Sequence, residues 1–304
     1  MPPRSPLPAR HGLSAAWVRT PDLDHGRPRP WSTMADWLRD KSPDEVDVAG
    51  MLADARFVYD DGRAVLAHDD YRPHTFVWFH RDLRDEAEVP GEVTVLHRDE
   101  RLVVVDKPPF LSTIPRGRHV RQSVVVRLRD ELGLPELSPL HRLDRVTSGV
   151  LMLATERRWR GPYQTLFADR QVRKTYLALA PWREDLVFPL TVRNHIHKTR
   201  GVLQAQVVPN APVNAVTHVE VESRVGDLAV YRLTPQTGRT HQLRLHLNDL
   251  GIPMVNDPLY PVEQDVSIDD FSRPLQLLAS TVELVDPIDG RERRFVSGRR
   301  LPIS

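Results

Sequence analysis

Apolar and polar positions along this chain sort into strand-like and helix-like stretches. Leu102-Val103-Val104-Val105 and Val150-Leu151-Met152-Leu153-Ala154 are unbroken apolar runs of the length expected for buried strands. Thr217-His218-Val219-Glu220-Val221 alternates, the pattern of a strand with one wet face. Val93 to Leu96, Arg173 to Leu179, Leu228 to Leu233, Leu275 to Leu284 and a segment near Phe295 add further strands. Helical spacing marks about Gln122 to Leu132, which Gly133 closes as a C-cap. It recurs over Trp159 to Asp169, with Tyr163, Leu166 and Phe167 turned inward. A third helix follows Thr240 and ends near Gly251.

The N-terminal part is patterned differently. Residues 1–31 combine many prolines and arginines with little periodicity and read as a flexible tail. Residues 32–85 read as a small α/β unit. It holds a helix starting at Thr33, a second over Val46 to Ala55, a hairpin about Asp61-Gly62 and a strand over Thr75 to Phe79. The hairpin arms are Phe57-Val58-Tyr59 and Ala64-Val65-Leu66. Residues 86–92, acidic and ending in Pro90-Gly91-Glu92, read as a linker, and residues 93–304 as the main domain.

Composition narrows the class. The 304 residues are 40% hydrophobic and 27% charged, ordinary values for a globular protein. No apolar run is long enough to span a bilayer, and the opening MPPRSPLPARHG lacks the apolar core of a secretory signal. A cytoplasmic protein without a membrane partner is the expectation. The absence of cysteine excludes disulfides, thiolate metal sites and a cysteine nucleophile. A net charge of +1 argues against a protein that coats nucleic acid non-specifically, but leaves room for a local basic groove.

The densest chemistry lies at the mouth of the Val150 strand. His141-Arg142-Leu143-Asp144-Arg145 is a polar turn, followed by the breaker Thr147-Ser148-Gly149. An aspartate between two arginines stays ionised and can act as a nucleophile or a base. The plainer reading is a turn residue capping the amide of Val146 or Thr147. Arg116, Arg118, His119 and Arg121 form a basic loop, either a solvated face or a place for phosphate groups. Lys107 either closes its strand in solvent or meets a phosphate. Tyr176 reads as a packed strand aromatic unless something stacks on it. His195 and His197 share a strand face without an evident third ligand, so no metal site is assigned.

The string His-Arg-Leu-Asp-x-x-Thr-Ser-Gly before an apolar strand resembles the signature of the RluA-type pseudouridine synthases, a bacterial family that modifies ribosomal and transfer RNA. Three further matches stand in the expected order along the chain. The first is Lys107-Pro108, after which the family has a small residue and Gly and this chain has Pro109-Phe110. The second is Lys174-Thr175-Tyr176-Leu177-Ala178, and the third is Thr237-Gly238-Arg239-Thr240-His241-Gln242-Leu243-Arg244. Gly251 to Tyr260 resembles another family string, with Asn256 in place of a glycine; Asn also tolerates positive φ.

The resemblance implies an α+β fold, a large mixed, mainly antiparallel sheet with flanking helices and a central RNA-binding cleft. The small N-terminal unit would be a degenerate RNA-binding-like domain. The implied activity is conversion of uridine to pseudouridine in ribosomal or transfer RNA, with Asp144 as nucleophile and Arg239 reaching its carboxylate. Tyr176 would stack on the target base, its hydroxyl close enough to take a proton. His141, Arg142, Thr147, Lys107, Arg116, Arg118, Lys174, Thr240, His241, Gln242 and Arg244 are the implied RNA and substrate contacts. No cofactor and no metal is implied. RNA rather than DNA is the partner, and a monomer is the simplest state. The competing reading is a non-catalytic RNA-binding or ribosome-assembly protein on the same fold. Asp144 and Arg239, both present, favour the enzyme.

Overall fold

The computed structural model describes residues 3–21, 30–83, 85–115 and 119–301. Arg116, Arg118 and residues 22–29 of the expected tail lie outside them. The chain divides into two compact units, Met1–Asp85 and Glu86–Ser304.

The first unit holds β1 (Ala16–Arg19), α1 (Met34–Lys41), α2 (Val48–Ala53), β2 (Val58–Tyr59) and β3 (Phe76–Phe79). Its sheet runs β1-β3-β2 and is antiparallel throughout. Thr33 starts α1 with a reciprocal cap: its Oγ1 accepts the Asp36 N–H and its own N–H donates to the Asp36 carboxylate, both at 3.1 Å. The expected hairpin is shorter than its sequence pattern, with Val58 bridging Ala64 across a turn at Gly62. β1 is a correction, because its residues fall in the segment expected to be a tail. Ala16-Trp17-Val18-Arg19 alternates inward and outward against β3. Four residues of period two are hard to see among flanking prolines.

In the second unit, β4 (Thr94–Arg98) and β5 (Leu102–Lys107) form a hairpin, followed by α3 (Val124–Glu131), β6 (Ser138–Pro139) and β7 (Ser148–Ala154). Next come α4 (Arg157–Ala168), β8 (Arg173–Pro181), β9 (Leu190–Asn194), β10 (Ile196–His197) and β11 (Gln206–Val207). The chain continues through β12 (Ala215–Val225), β13 (Leu228–Pro235), α5 (Gln242–Asp249), β14 (Leu277–Val285) and β15 (Glu292–Val296). The main sheet follows the order β4-β5-β7-β14-β8-β13-β12-β9, with β15 beside β14 and β6 beside β7. Every pairing is antiparallel except β7 with β14. This is the mixed, mainly antiparallel α+β sheet that the motifs imply.

Both faces of the central strands are buried. Val103, Val105, Leu151 and Leu153 pack with α3 and α5 in one core, while Leu102, Val104, Val150 and Met152 pack with α4 in another. A strand covered on both sides has no wet face, which is why β5 and β7 read as unbroken apolar runs. The breaker before β7 has a steric cause. At Gly149, φ is 109° and an added Cβ would stand 2.2 Å from the Ala279 carbonyl of β14. The parallel strands approach closely at that point, and the turn carrying Asp144 is thereby set at the sheet's centre.

Candidate active site

The turn from His141 to Thr147 leaves the sheet where β6 ends. His141 Nε2 accepts the Met152 N–H at 3.1 Å, so the imidazole stands where a ladder carbonyl would otherwise be. Its ring stacks on Phe167 at 4.7 Å. Burial pushes its pKa down to about 3. The ring is therefore neutral, with its proton on Nδ1. Thr113 pins the turn, its hydroxyl donating to the Leu143 carbonyl at 2.8 Å and accepting the Leu143 N–H at 3.2 Å. The Thr147 N–H donates to the backbone carbonyl of Asp144 at 3.1 Å.

Lys107 lies beneath this turn rather than on the rim. It is fully buried, and its ammonium donates to the carbonyls of Pro108, Leu111 and Arg145 at 2.9, 2.8 and 3.2 Å. Burial pushes its pKa down to about 7. Its expected role as a substrate contact is corrected: all three ammonium protons are taken by backbone.

With the turn closed by backbone, the Asp144 side chain is left facing a cleft. It is 35% exposed. Among the described residues, Arg244 Nη1 at 3.5 Å is the permanent cation in ion-pair range of its Oδ2, and His241 Nε2 stands 3.9 Å from the same oxygen. Arg244 is itself held from behind. Its Nε and Nη2 donate to the two oxygens of Asp257 at 2.8 and 2.5 Å. Asp257 is buried and accepts the backbone N–H groups of Leu259 and Tyr260 as well. A bidentate pair fixes the plane of the guanidinium, and that plane aims Nη1 at Asp144.

His241 begins α5 in the left-handed conformation, φ 58°. The Tyr260 hydroxyl donates to the Ala205 carbonyl and accepts the Ala205 N–H. It also stands 3.1 Å from His241 Nδ1. This contact holds the ring with Nε2 turned toward Asp144.

The cleft has a volume of about 1310 Å³. Asp144 and Tyr176 both line it, with Leu277. Tyr176 comes from β8, between Leu233 of β13 and Ala279 of β14. Burial, and secondarily the Asp144 charge, raises its pKa, so the phenol stays protonated. Arg142, Thr147, Lys174, Arg239, Thr240 and His241 line the same cleft. Arg142, Arg239 and Thr240 are exposed on its wall, and burial lowers the pKa of Lys174.

Two expectations about the third motif, Thr237 to Arg244, are corrected. Arg239 does not reach Asp144; its Nε donates to the Asn214 carbonyl at 3.2 Å, and the cation on the carboxylate is Arg244. The cause is the turn geometry. Arg239 lies before the left-handed residue and points outward, whereas Arg244 lies inside α5 on its buried side. Gln242 is not an RNA contact. Its amide donates to Val216 O and Thr217 Oγ1, and its Oε1 accepts from Thr237 Oγ1 and the Arg239 N–H. Asp257 and Tyr260 are the residues that sequence reasoning left without a role. The signal was available, because both stand in the Gly251 to Tyr260 string. Asn256 in that string does adopt positive φ, at 60°.

A family model described as RNA pseudouridylate synthase matches residues 101–249, which include Asp144, Tyr176 and Arg244. The chain is 31% identical over 215 residues to the dual-specificity RNA pseudouridine synthase RluA of Yersinia pestis, across 66% of this chain and 96% of that protein. It is 38% identical over 181 residues to the human pseudouridylate synthase RPUSD2, across 58% of this chain. There it spans about a third of the relative's length, 32%. The solved structure of human RNA pseudouridylate synthase domain containing 1 superposes with a TM-score of 0.55 at 25% identity, covering 70% of this chain and 86% of that one. With the fold, the motifs and these relatives in agreement, the chain belongs to the RNA pseudouridine synthase family, in its RluA-type branch.

Proposed function

We propose that the protein converts uridines of ribosomal or transfer RNA to pseudouridine in the cytoplasm, acting as a monomer on RNA rather than DNA. The observation that carries this reading is the Asp144 carboxylate, aimed by Arg244 into a cleft that it shares with the half-buried phenol of Tyr176. In the reaction the bond from N1 of uracil to the ribose C1′ breaks, the base turns, and C5 bonds to C1′. The proton on C5 leaves and N1 gains one, so atoms and electrons balance without a co-reactant.

Asp144 is the nucleophile, adding to the uracil ring or assisting its departure at C1′. Arg244 holds the carboxylate. Tyr176 stacks on the base and its neutral hydroxyl relays the late proton. A uridine within a helix cannot reach this group, so the target base is flipped into the cleft. Arg142, Lys174, Arg239 and Thr240 on the cleft wall suit the phosphate backbone. A purely RNA-binding role gives no reason for Arg244 to be locked on Asp257 and pointed at Asp144.

The test is a carbodiimide map of pseudouridine in cellular RNA with and without the gene. A site lost on deletion and restored by the wild-type gene supports the reading. An unchanged map across all RNA overturns it.

A further inference from the structure

Two cavities meet at Asp144. The second has a volume of about 570 Å³ and lies behind the Arg142–Val146 side of the turn. It shares Arg142, Asp144, His241 and Arg244 with the main cleft. Its lining is mostly apolar, with Phe110, Ile114, Leu203, Leu259 and Val266. Arg142, Arg145, Arg244 and Arg273 add guanidinium groups, and Asp144, Glu263 and Asp270 add carboxylates.

Phe110 shows that this lining is held at a cost. Its φ is 65°, a conformation that strains a bulky residue and leaves glycine unstrained. Its ring meets Phe271 at 5.5 Å and lies under the Arg145 guanidinium at 5.6 Å. Arg145 in turn donates to the Phe110 and Ile268 carbonyls at 3.4 and 3.2 Å. The strained residue thus ties the Asp144 turn to the 263–273 segment that forms the far wall.

We propose that this second cavity receives the base of a nucleotide adjacent to the target uridine. The inference rests on reading the main cleft as the uridine site. A strand passing Asp144 with one base in the cleft brings its neighbour to the shared wall. The volume falls in the range of small-molecule sites, about 300–1,000 Å³, and takes a nucleoside. A neutral, flat base suits apolar side chains and guanidinium planes. Arg142, common to both cavities, is placed for the phosphate that links the two nucleotides.

The test uses the full chain and a fluorescein-labelled single-stranded RNA carrying one uridine that the carbodiimide map assigns to the protein, with its native flanking bases. A second RNA has both neighbours of the uridine made abasic. Val266 is 45% exposed, lines the cavity and lies outside the catalytic group, so Val266→Trp fills the space with little risk to folding. Wild type should bind the abasic RNA about tenfold more weakly, and Val266→Trp should bind the two RNAs alike. Val266→Ala should behave as wild type. Equal binding of both RNAs by wild type, or the same loss in Val266→Trp, overturns the cavity assignment. Pseudouridine formation in the same samples separates the two readings. Discrimination without product defeats the isomerase and leaves the cavity. Product without discrimination defeats the cavity and leaves the isomerase. A protein that neither binds nor isomerises defeats both.

Discussion

Arg244 Nη1 stands 3.5 Å from Asp144 Oδ2, while the other two nitrogens of the same guanidinium are held by Asp257. One arginine therefore joins a buried carboxylate to the one facing the cleft. Arg244→Ala should abolish turnover and destabilise the fold by about 3–5 kcal/mol, because Asp257 is left buried and unpaired. Arg239→Ala should stay within about 0.5 kcal/mol of wild-type stability and weaken RNA binding without stopping the chemistry. Urea melts and single-turnover assays on both variants decide which arginine serves the carboxylate. Loss of turnover in Arg239→Ala with none in Arg244→Ala would reverse the assignment.

Gly149→Ala should destabilise the second unit by about 3 kcal/mol or more, since the added Cβ meets the Ala279 carbonyl of a paired strand and φ is positive. Denaturant unfolding measures this directly. A near-neutral substitution would mean that β7 and β14 are further apart than described.

The active-site and core histidines set an acid limit. Burial lowers His141 to about 3 and His246 to about 4, below their unfolded value of 6.5. Below pH 6.5 the unfolded chain takes up protons that the folded chain refuses, so stability falls as pH drops toward those folded values. Each histidine contributes at most about 1.4 kcal/mol per pH unit in that window. Stability measured from pH 7 to 4.5 should fall less steeply in His246→Gln. An unchanged slope would show that His246 is protonated in the fold.

Tyr176→Phe should retain RNA affinity and lose about 10²-fold or more in single-turnover rate, the usual size of an acid–base contribution. Because burial raises the Tyr176 pKa, the wild-type rate should show no loss from phenolate formation up to pH 9. A Phe variant with wild-type rate would leave Tyr176 as a stacking surface alone.

Much of this architecture was legible in the residues themselves. The unbroken apolar runs of β5 and β7 placed the central strands because both their faces are buried. The Asp144 turn leads into β7 and Tyr176 lies on β8, and the structure brings both to one cleft. What could not be read was direction. Arg239 and Arg244 share one motif, and only the left-handed backbone at His241 determines which of them points inward. Lys107 and Gln242 looked like surface contacts because polar residues usually are. Their partners are backbone and buried side-chain groups, among them Arg145 for Lys107 and Val216 and Thr217 for Gln242, all distant in sequence. β1 was hidden by its brevity among prolines, and Asp257, though it stands in the Gly251 to Tyr260 string, took its role from Arg244, which lies in another motif.

The most direct measurement is single-turnover conversion by purified wild type and Asp144→Asn on an RNA that wild type modifies, with binding measured on the same samples. Asp144→Asn should bind that RNA within about threefold of wild type and form no pseudouridine. Pseudouridine formed by Asp144→Asn at the wild-type rate would show that the carboxylate Arg244 holds is not the nucleophile.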